Sequence, residues 1–255
     1  MAPRTIAIAN HKGGTAKTTT TVNLAQALND AGYATLVIDM DEQCNATRAV
    51  GARPDTGAPD MLSILMRESD IDTATVPTPG GVRLVPATQE LGNVDPLFAK
   101  KPGLHGTLKA ALSRMSGAYD FVLIDCPGSM GNLTLTALAA CTEILVPVAA
   151  GSMELEAVRR FEQHISDSVE LLNPNARIDH ILVSRVELHQ IADQDVVAAL
   201  AEDYPGQLMR TVIPKSVRVT ESYSAGQPVV TYAPTSRPAF AFTDAARELL
   251  ERNPR

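Results

Sequence analysis

Two hydrophobic patterns alternate along the chain. Short runs that are apolar at almost every position, at Thr5–Ala9, Ala34–Asp39, Phe121–Asp125 and Ile144–Val148, are separated by longer segments with helical spacing. Runs apolar throughout, rather than at every second residue, mark strands buried on both faces. Val82–Val85, His180–Ser184 and Met209–Pro214 read the same way. Between them, helices are expected at Lys17–Ala31 (ended by Gly32), Asp60–Arg67, Leu104–Met115, Ala192–Asp203 and Phe240–Arg252, with a long amphipathic one at Glu154–Leu172. Strands that alternate with helices form βαβ units, so the expected fold class is α/β: a doubly wound, mostly parallel sheet with helices on both faces. Ligands then bind beyond the carboxyl ends of the strands. The Pro- and Gly-rich stretches Arg53–Pro59 and Pro77–Gly81 are too short for domain linkers, and no repeat appears. Residues 1–255 are therefore expected to form one domain.

Composition narrows the function classes. Hydrophobic residues make up 45% and charged residues 20%, which excludes wholesale disorder. Aromatics are only 4% and Trp is absent, so a base-stacking platform for single strands is not expected. The net charge of −7 argues against a polybasic protein as a whole and leaves room only for a local basic patch. Cys44, Cys126 and Cys141 are widely spaced, without a CxxC or Cys/His pair, and read as reduced thiols of a cytoplasmic protein. The first strand follows the N-terminus directly, so no signal peptide is expected. The stretch Ala137–Gly151 is too short and too polar to span a bilayer.

Chemistry begins right after the first strand, at Asn10-His11-Lys12-Gly13-Gly14-Thr15-Ala16-Lys17-Thr18-Thr19. The strict GxxxxGK[ST] pattern fails, with His at 11 and Ala at 16. The context still fits a phosphate loop: an apolar strand, a glycine pair, then Lys-Thr-Thr opening a helix. Gly13 and Gly14 let backbone N–H groups curl around phosphate oxygens, with Thr15 and Thr19 beside them. The helix start adds free N–H groups. Lys17 is placed to reach the β and γ phosphates, and the Thr18 hydroxyl to ligate Mg²⁺. Ala16 is expected to have near-helical dihedrals, where alanine carries no strain. The bland alternative is a glycine turn before an ordinary helix.

Lys12-Gly13-Gly14-Thr15-Ala16-Lys17-Thr18 resembles the deviant Walker A loop KGGxxK[ST] of the ParA/MinD group of P-loop ATPases. The likeness to ParA/Soj partition proteins extends over nearly the whole chain. It takes in Thr19–Ala25, Leu36–Thr47, Asp120–Pro127, Thr211–Arg218 and Tyr232–Ser236. It implies an ATPase using ATP and Mg²⁺ in which Lys12 reaches across a dimer interface to the partner's nucleotide. It also implies that Asp41 orients the attacking water and that Pro214 lies at the nucleotide. Four positions depart from the family pattern: Ala16, Glu42, Cys44 and Gly128. They bear on switch stiffness and turnover rate.

Asp39 and Asp41 flank Met40 at a strand end, where alternation points both carboxylates the same way, toward the phosphate loop. Asp125 ends another apolar strand, in the Walker B position. A carboxylate at the tip of a buried strand needs a cation or donors, and Mg²⁺ with its waters provides them. Asp39 and Asp125 are thus expected to contact Mg²⁺ through water or a neighbouring ligand. The plainer role for Asp41 is a helix N-cap for Gln43–Val50. Cys126, with no partner near in sequence, reads as a small buried residue.

Between Gly206 and Pro238, Arg210, Lys215, Arg218 and Arg237 stand against one acid, Glu221. By resemblance this face of the ATP-bound homodimer binds DNA non-specifically, with Lys215 and Arg218 as phosphate contacts. The bland alternative is a solvated surface. A ParB-like activator and a nucleoid-associated, cytoplasmic location are implied, without membrane attachment. Three alternatives stay open. One is a MinD-like membrane ATPase, which needs an amphipathic C-terminal helix. The others are a nucleotide-gated scaffold with negligible turnover and an iron–sulfur reductase of the same superfamily, for which clustered Cys are missing.

Overall fold

A computed structural model of the chain describes residues 2–53, 57–100, 103–151, 154–187 and 190–252. The middle of the Arg53–Pro59 loop lies outside the described residues. Eight strands appear: β1 (Arg4–Ile8), β2 (Thr35–Asp39), β3 (Val76–Pro77), β4 (Arg83–Val85), β5 (Phe121–Asp125), β6 (Glu143–Ala149), β7 (Ile178–Val186) and β8 (Leu208–Pro214). They form one sheet in the order β3-β4-β2-β5-β1-β6-β7-β8. Every neighbouring pair is parallel except β3 with β4. The all-apolar runs behave as their pattern dictates: Ile6 and Ile8 face one buried core, Ala7 and Ala9 the other.

The register sets up the site. Ile8 and Asp39 both pair with Asp125, so β1, β2 and β5 end level. The chain leaves β1 toward β2, returns through β5 between them, and crosses to β6 on the far side. This reversal opens a crevice at the carboxyl end of β1, where a doubly wound sheet binds its ligand.

Most expected helices are present, with shifted ends. Lys17–Asp30, Met61–Met66, Ile191–Asp203 and Arg237–Glu251 correspond closely. The expected Leu104–Met115 helix is a 3₁₀ turn at Leu104–Gly106 followed by an α-helix at Thr107–Leu112. The Glu154–Leu172 segment is α-helical over Glu154–His164 and continues as a wider π-type turn over Ile165–Val169. Asn132–Ala140, for which no helix is expected from sequence and of which only Ala137–Ala140 belong to the apolar stretch Ala137–Gly151, is a helix.

Both sheet edges are closed. β3 is two residues long and includes Pro77, which has no N–H to offer. At the other edge, the Glu248 carboxylate accepts the Arg210 and Thr211 amides of β8 at 2.7 and 2.9 Å. Burial pushes the Glu248 carboxyl up, but these hydrogen bonds prevail and lower it. Glu248 lies on the Arg237–Glu251 helix, which buries Phe242, Ala245, Ala246 and Leu249 in the core. Among the described residues no helix is long and apolar enough to cross a membrane.

At the amino end of the sheet, Arg4 grips Glu143 with Nε and Nη2 at 2.7 and 2.6 Å. His180 Nε2 lies 2.8 Å from the same carboxylate. Burial pushes the Glu143 carboxyl up, yet the Arg4 and His180 hydrogen bonds hold it at about 2.

Candidate nucleotide site

The phosphate loop is fixed before it meets any ligand. Beyond β1, the buried Asn10 donates to the Pro147 carbonyl at 2.9 Å and accepts the Lys12 amide at 3.1 Å. Thr15 Oγ1 donates to the Lys12 carbonyl at 3.3 Å. Gly13 and Gly14 face open space, with Gly14 at φ +75°. The Lys17–Asp30 helix starts without a side-chain cap, leaving its first amides facing the crevice.

Ala16 departs from expectation. Its dihedrals are φ 68° and ψ 29°, left-handed rather than near-helical. That conformation costs an L-residue roughly 1–2 kcal/mol. Cys44 is left-handed too, at φ 53°. At both positions the resembling family has glycine, so the backbone keeps the shape and accepts the strain of a Cβ.

Lys17 is buried, and its ammonium donates to the Lys12 carbonyl at 3.1 Å. Burial lowers its pKa, while the charges of Asp125, Cys126 and Asp41 act in the opposite direction. Thr18 Oγ1 donates to Asp125 Oδ2 at 2.7 Å, and Thr21 Oγ1 to Asp125 Oδ1 at 2.9 Å. Sequence reading gave Thr21 no role; one helical turn beyond Lys17 was the available signal. Burial, then the nearby Asp39, push the Asp125 carboxyl up against the bonds from Thr18 and Thr21.

The two carboxylates at the end of β2, Asp39 and Asp41, do not point the same way. Asp39 is fully buried: Oδ2 accepts the Thr47 amide and hydroxyl at 2.8 and 2.7 Å, and Oδ1 accepts the Asp41 amide at 3.1 Å. Strand alternation ends at Asp39, where the chain turns, so only Asp41 faces the crevice. Asp41 Oδ1 accepts the Gln43 amide at 2.9 Å. It caps that turn and not a helix, since the next helix, Asn45–Ala49, is preceded by Cys44. Asp41 lines a cavity of about 610 Å³ with Gly13, Lys17, Thr18, Glu42 and Gly128.

Pro214, at the end of β8, lines a second recess of about 410 Å³ with Gly14, Ala16, Thr19 and Arg185. Arg185 was missed as a site residue. It sits at φ 61° where the β7–β8 register shifts, and its Nη1 reaches the Gly14 carbonyl at 3.3 Å. Lys12 lies on a polar recess of about 490 Å³ shared with Glu187, Asp193 and Lys215.

The basic stretch is less positive than its sequence implies. Folding brings Glu187 to Lys215 at 2.5 Å and Glu251 to Arg210 at 2.6 Å, while Glu221 pairs with Arg218 at 2.8 Å. The Lys215 and Arg218 side chains remain 58% and 56% exposed and accessible to a large polyanion. The preceding helix Ile191–Asp203 carries Asp193, Asp195, Glu202 and Asp203, but Asp193 is buried and accepts the Glu187 amide, and Asp203 pairs with Arg159. Cys44, Cys126 and Cys141 are buried and free, and among the described residues no group of three or more His, Cys, Asp or Glu is set to hold a metal.

Comparison with known proteins gives three kinds of match. A family model described as an AAA domain matches residues 3–178. The chromosome-partitioning ATPase Soj of Thermus thermophilus is 37% identical over 98% of this chain and 96% of its own length. The chromosome partitioning protein ParA of Myxococcus xanthus is 32% identical over 98% of this chain and 89% of its own. Among solved structures, cobyrinic acid a,c-diamide synthase of Mycobacterium smegmatis, with bound ATP analogue and magnesium, superposes with a TM-score of 0.84. It is 29% identical and is matched over 98% of this chain and 95% of that one.

Proposed function

The chain belongs to the ParA/Soj family of P-loop ATPases, and we propose that it positions DNA or another large intracellular cargo through an ATP-dependent homodimer. In this reading residues 1–255 work as one domain in the cytoplasm, associated with the nucleoid. The observation that carries it is one crevice lined by Lys17, Thr18 and Asp41, with the Thr18 hydroxyl bonded to the buried Asp125 carboxylate behind it.

The donors suit the ligands. Thr18 and Asp125 offer hard oxygens, the kind Mg²⁺ prefers. Held there, Mg²⁺ would offset the negative charge of the phosphates. Thr18 would hold it directly and Asp125 through the Thr18 hydroxyl or a water. Asp39, with both oxygens taken by protein donors, would serve by fixing the turn that carries Asp41. The amides of Gly13, Gly14 and Thr15 and the start of the Lys17 helix would cradle the phosphates, with Thr19 alongside. Lys17 would exchange the Lys12 carbonyl for the β and γ phosphate oxygens. The recess at Ala16, Arg185 and Pro214 would take the base. Asp41 would orient the attacking water, and Lys12 would extend to the nucleotide of a second copy. Turnover would be slow and stimulated by a ParB-like partner.

DNA binding would follow dimerisation, because joining two copies doubles Lys215 and Arg218 on one surface. A membrane role is disfavoured by the helix Arg237–Glu251, which packs Phe242, Ala245, Ala246 and Leu249 into the core and leaves Phe240 as its one exposed large apolar side chain among the described residues. The test is DNA co-sedimentation with ATP, ADP or no nucleotide at low salt. ATP-dependent binding is expected, falling steeply with salt and with Lys215→Glu/Arg218→Glu. Absence of any ATP-dependent binding overturns the DNA reading. Nucleotide binding without phosphate release identifies a scaffold.

A further inference from the structure

The helix Val217–Ser224 starts at the proposed DNA surface and ends against the helix Asn45–Ala49, which follows the loop that carries Asp41. At its start, Ser216 caps it by accepting the Arg218 amide at 3.2 Å, between Lys215 and Arg218. Near its end, the Tyr223 hydroxyl donates to Asn45 Oδ1 at 2.7 Å. Asn45 opens the helix Asn45–Ala49 and lines the same cavity as Asp41.

A second, independent contact lies just beyond. Gly226 and Gly51 terminate these two helices at φ +65° and +81° and meet backbone to backbone. A Cβ on Gly51 would come within 2.9 Å of the Gly226 carbonyl oxygen, and one on Gly226 within 3.3 Å of both the Arg48 oxygen and Gly51 Cα. The two helices are thus joined at both ends of their contact. From Asn45 the connection continues through Thr47, which holds Asp39, which holds the Asp41 amide. Beneath Tyr223 and Asn45 lies a cavity of about 320 Å³, floored by Thr18, Thr19 and Val22 of the phosphate-loop helix. Val219 and Ser222 of one helix and Asn45 and Ala49 of the other line this recess, so it lies where both helices face the phosphate-loop helix.

We propose that Tyr223 is a positioning residue that couples the Lys215–Arg218 surface to the Asp41 loop, so that DNA contact and nucleotide state bias each other through one rigid two-helix body. The inference rests on the DNA-binding reading above. Coupling of this kind is reciprocal: the factor by which nucleotide changes DNA affinity equals the factor by which DNA changes nucleotide affinity.

The experiment measures DNA affinity with a slowly hydrolysed ATP analogue and with ADP, and analogue affinity with and without DNA. It compares wild type, Tyr223→Phe, Asn45→Ala and the double variant. Tyr223→Phe removes only a hydroxyl from a half-exposed ring, and an unchanged thermal midpoint confirms an intact fold. The ATP-over-ADP preference for DNA is expected to fall about fivefold in Tyr223→Phe, with a matching fall in the effect of DNA on analogue affinity. The double variant is expected to lose no more than Asn45→Ala alone, because both changes break one bond. A wild-type preference retained in Tyr223→Phe overturns the coupling and leaves the DNA reading standing. A wild type that binds DNA equally with either nucleotide, or not at all, overturns both.

Discussion

The Lys17 ammonium rests on the Lys12 carbonyl, 3.1 Å away, so the two lysines of the phosphate loop are joined through backbone, not opposed as charges. Lys17 is buried and lightly solvated there, a state that an arriving phosphate improves. Lys17→Ala is expected to weaken ATP binding by about a hundredfold or more, the loss of a buried charged hydrogen bond. Isothermal calorimetry checks this, and unchanged affinity would remove the phosphate-loop assignment.

Lys12→Ala keeps the carbonyl that Lys17 and Thr15 use, so the loop geometry survives the change. Monomer affinity for nucleotide is expected to stay within a few-fold of wild type, while ATP-induced dimerisation drops. Sedimentation velocity with ATP separates the two effects. Dimerisation at wild-type level would refute a role for Lys12 across the interface.

Ala16 carries the cost of a left-handed backbone. Ala16→Gly relieves it but loosens the unfolded chain, for a net gain of about 0.5–1 kcal/mol. Ala16→Val, branched at Cβ, is expected to destabilise. Urea unfolding of the three proteins reads the order directly, and Gly below Ala in stability would contradict the strain.

Asp41 has two separable duties. Its Oδ1 closes the turn onto the Gln43 amide, and its charge faces the crevice. Asp41→Asn keeps an acceptor for the turn and removes the charge. Phosphate release is expected to fall about a hundredfold with nucleotide binding intact, a magnitude typical of losing a positioned carboxylate. A rate equal to wild type would reduce Asp41 to a turn residue.

Acid should loosen the protein from the end of the sheet remote from the nucleotide. Glu143 is held at about 2, below the 4.5 of a free carboxyl, so the folded state prefers it ionised. That preference is fully present above pH 4.5 and disappears as pH falls through 2. A shift of this size corresponds to about 3 kcal/mol. Glu143→Gln is expected to cost about that much at pH 6 and progressively less toward pH 2. Urea midpoints across this range test it, and a pH-independent difference would contradict the assignment.

The parallel strands were legible because burial on both faces leaves an unbroken apolar run, and Phe121–Asp125 has the same limits in sequence and structure. The helix Asn132–Ala140 was not, for the related reason that it is buried nearly all round and shows no polar face. Thr18 and Asp125, far apart in sequence, are brought together because each stands at the carboxyl end of the sheet beside the phosphate loop. The left-handed Ala16 and the inward turn of Asp39 escaped, because residue type does not report a backbone sign or the end of a strand's alternation. Glu187 and Glu251 beside the basic stretch are contributions from distant parts of the chain, which local charge counting does not register.

Closure of both sheet margins has a consequence for how copies of this chain meet. An open ladder would invite another molecule to add its own strand, and repetition of that step lengthens without limit. Pro77 at one margin and the Glu248 carboxylate on the Arg210 and Thr211 amides at the other remove that invitation. Edge-to-edge growth of the sheet is thereby blocked, and the dimer proposed above would form instead at the mouth of the crevice, as a closed two-fold pair.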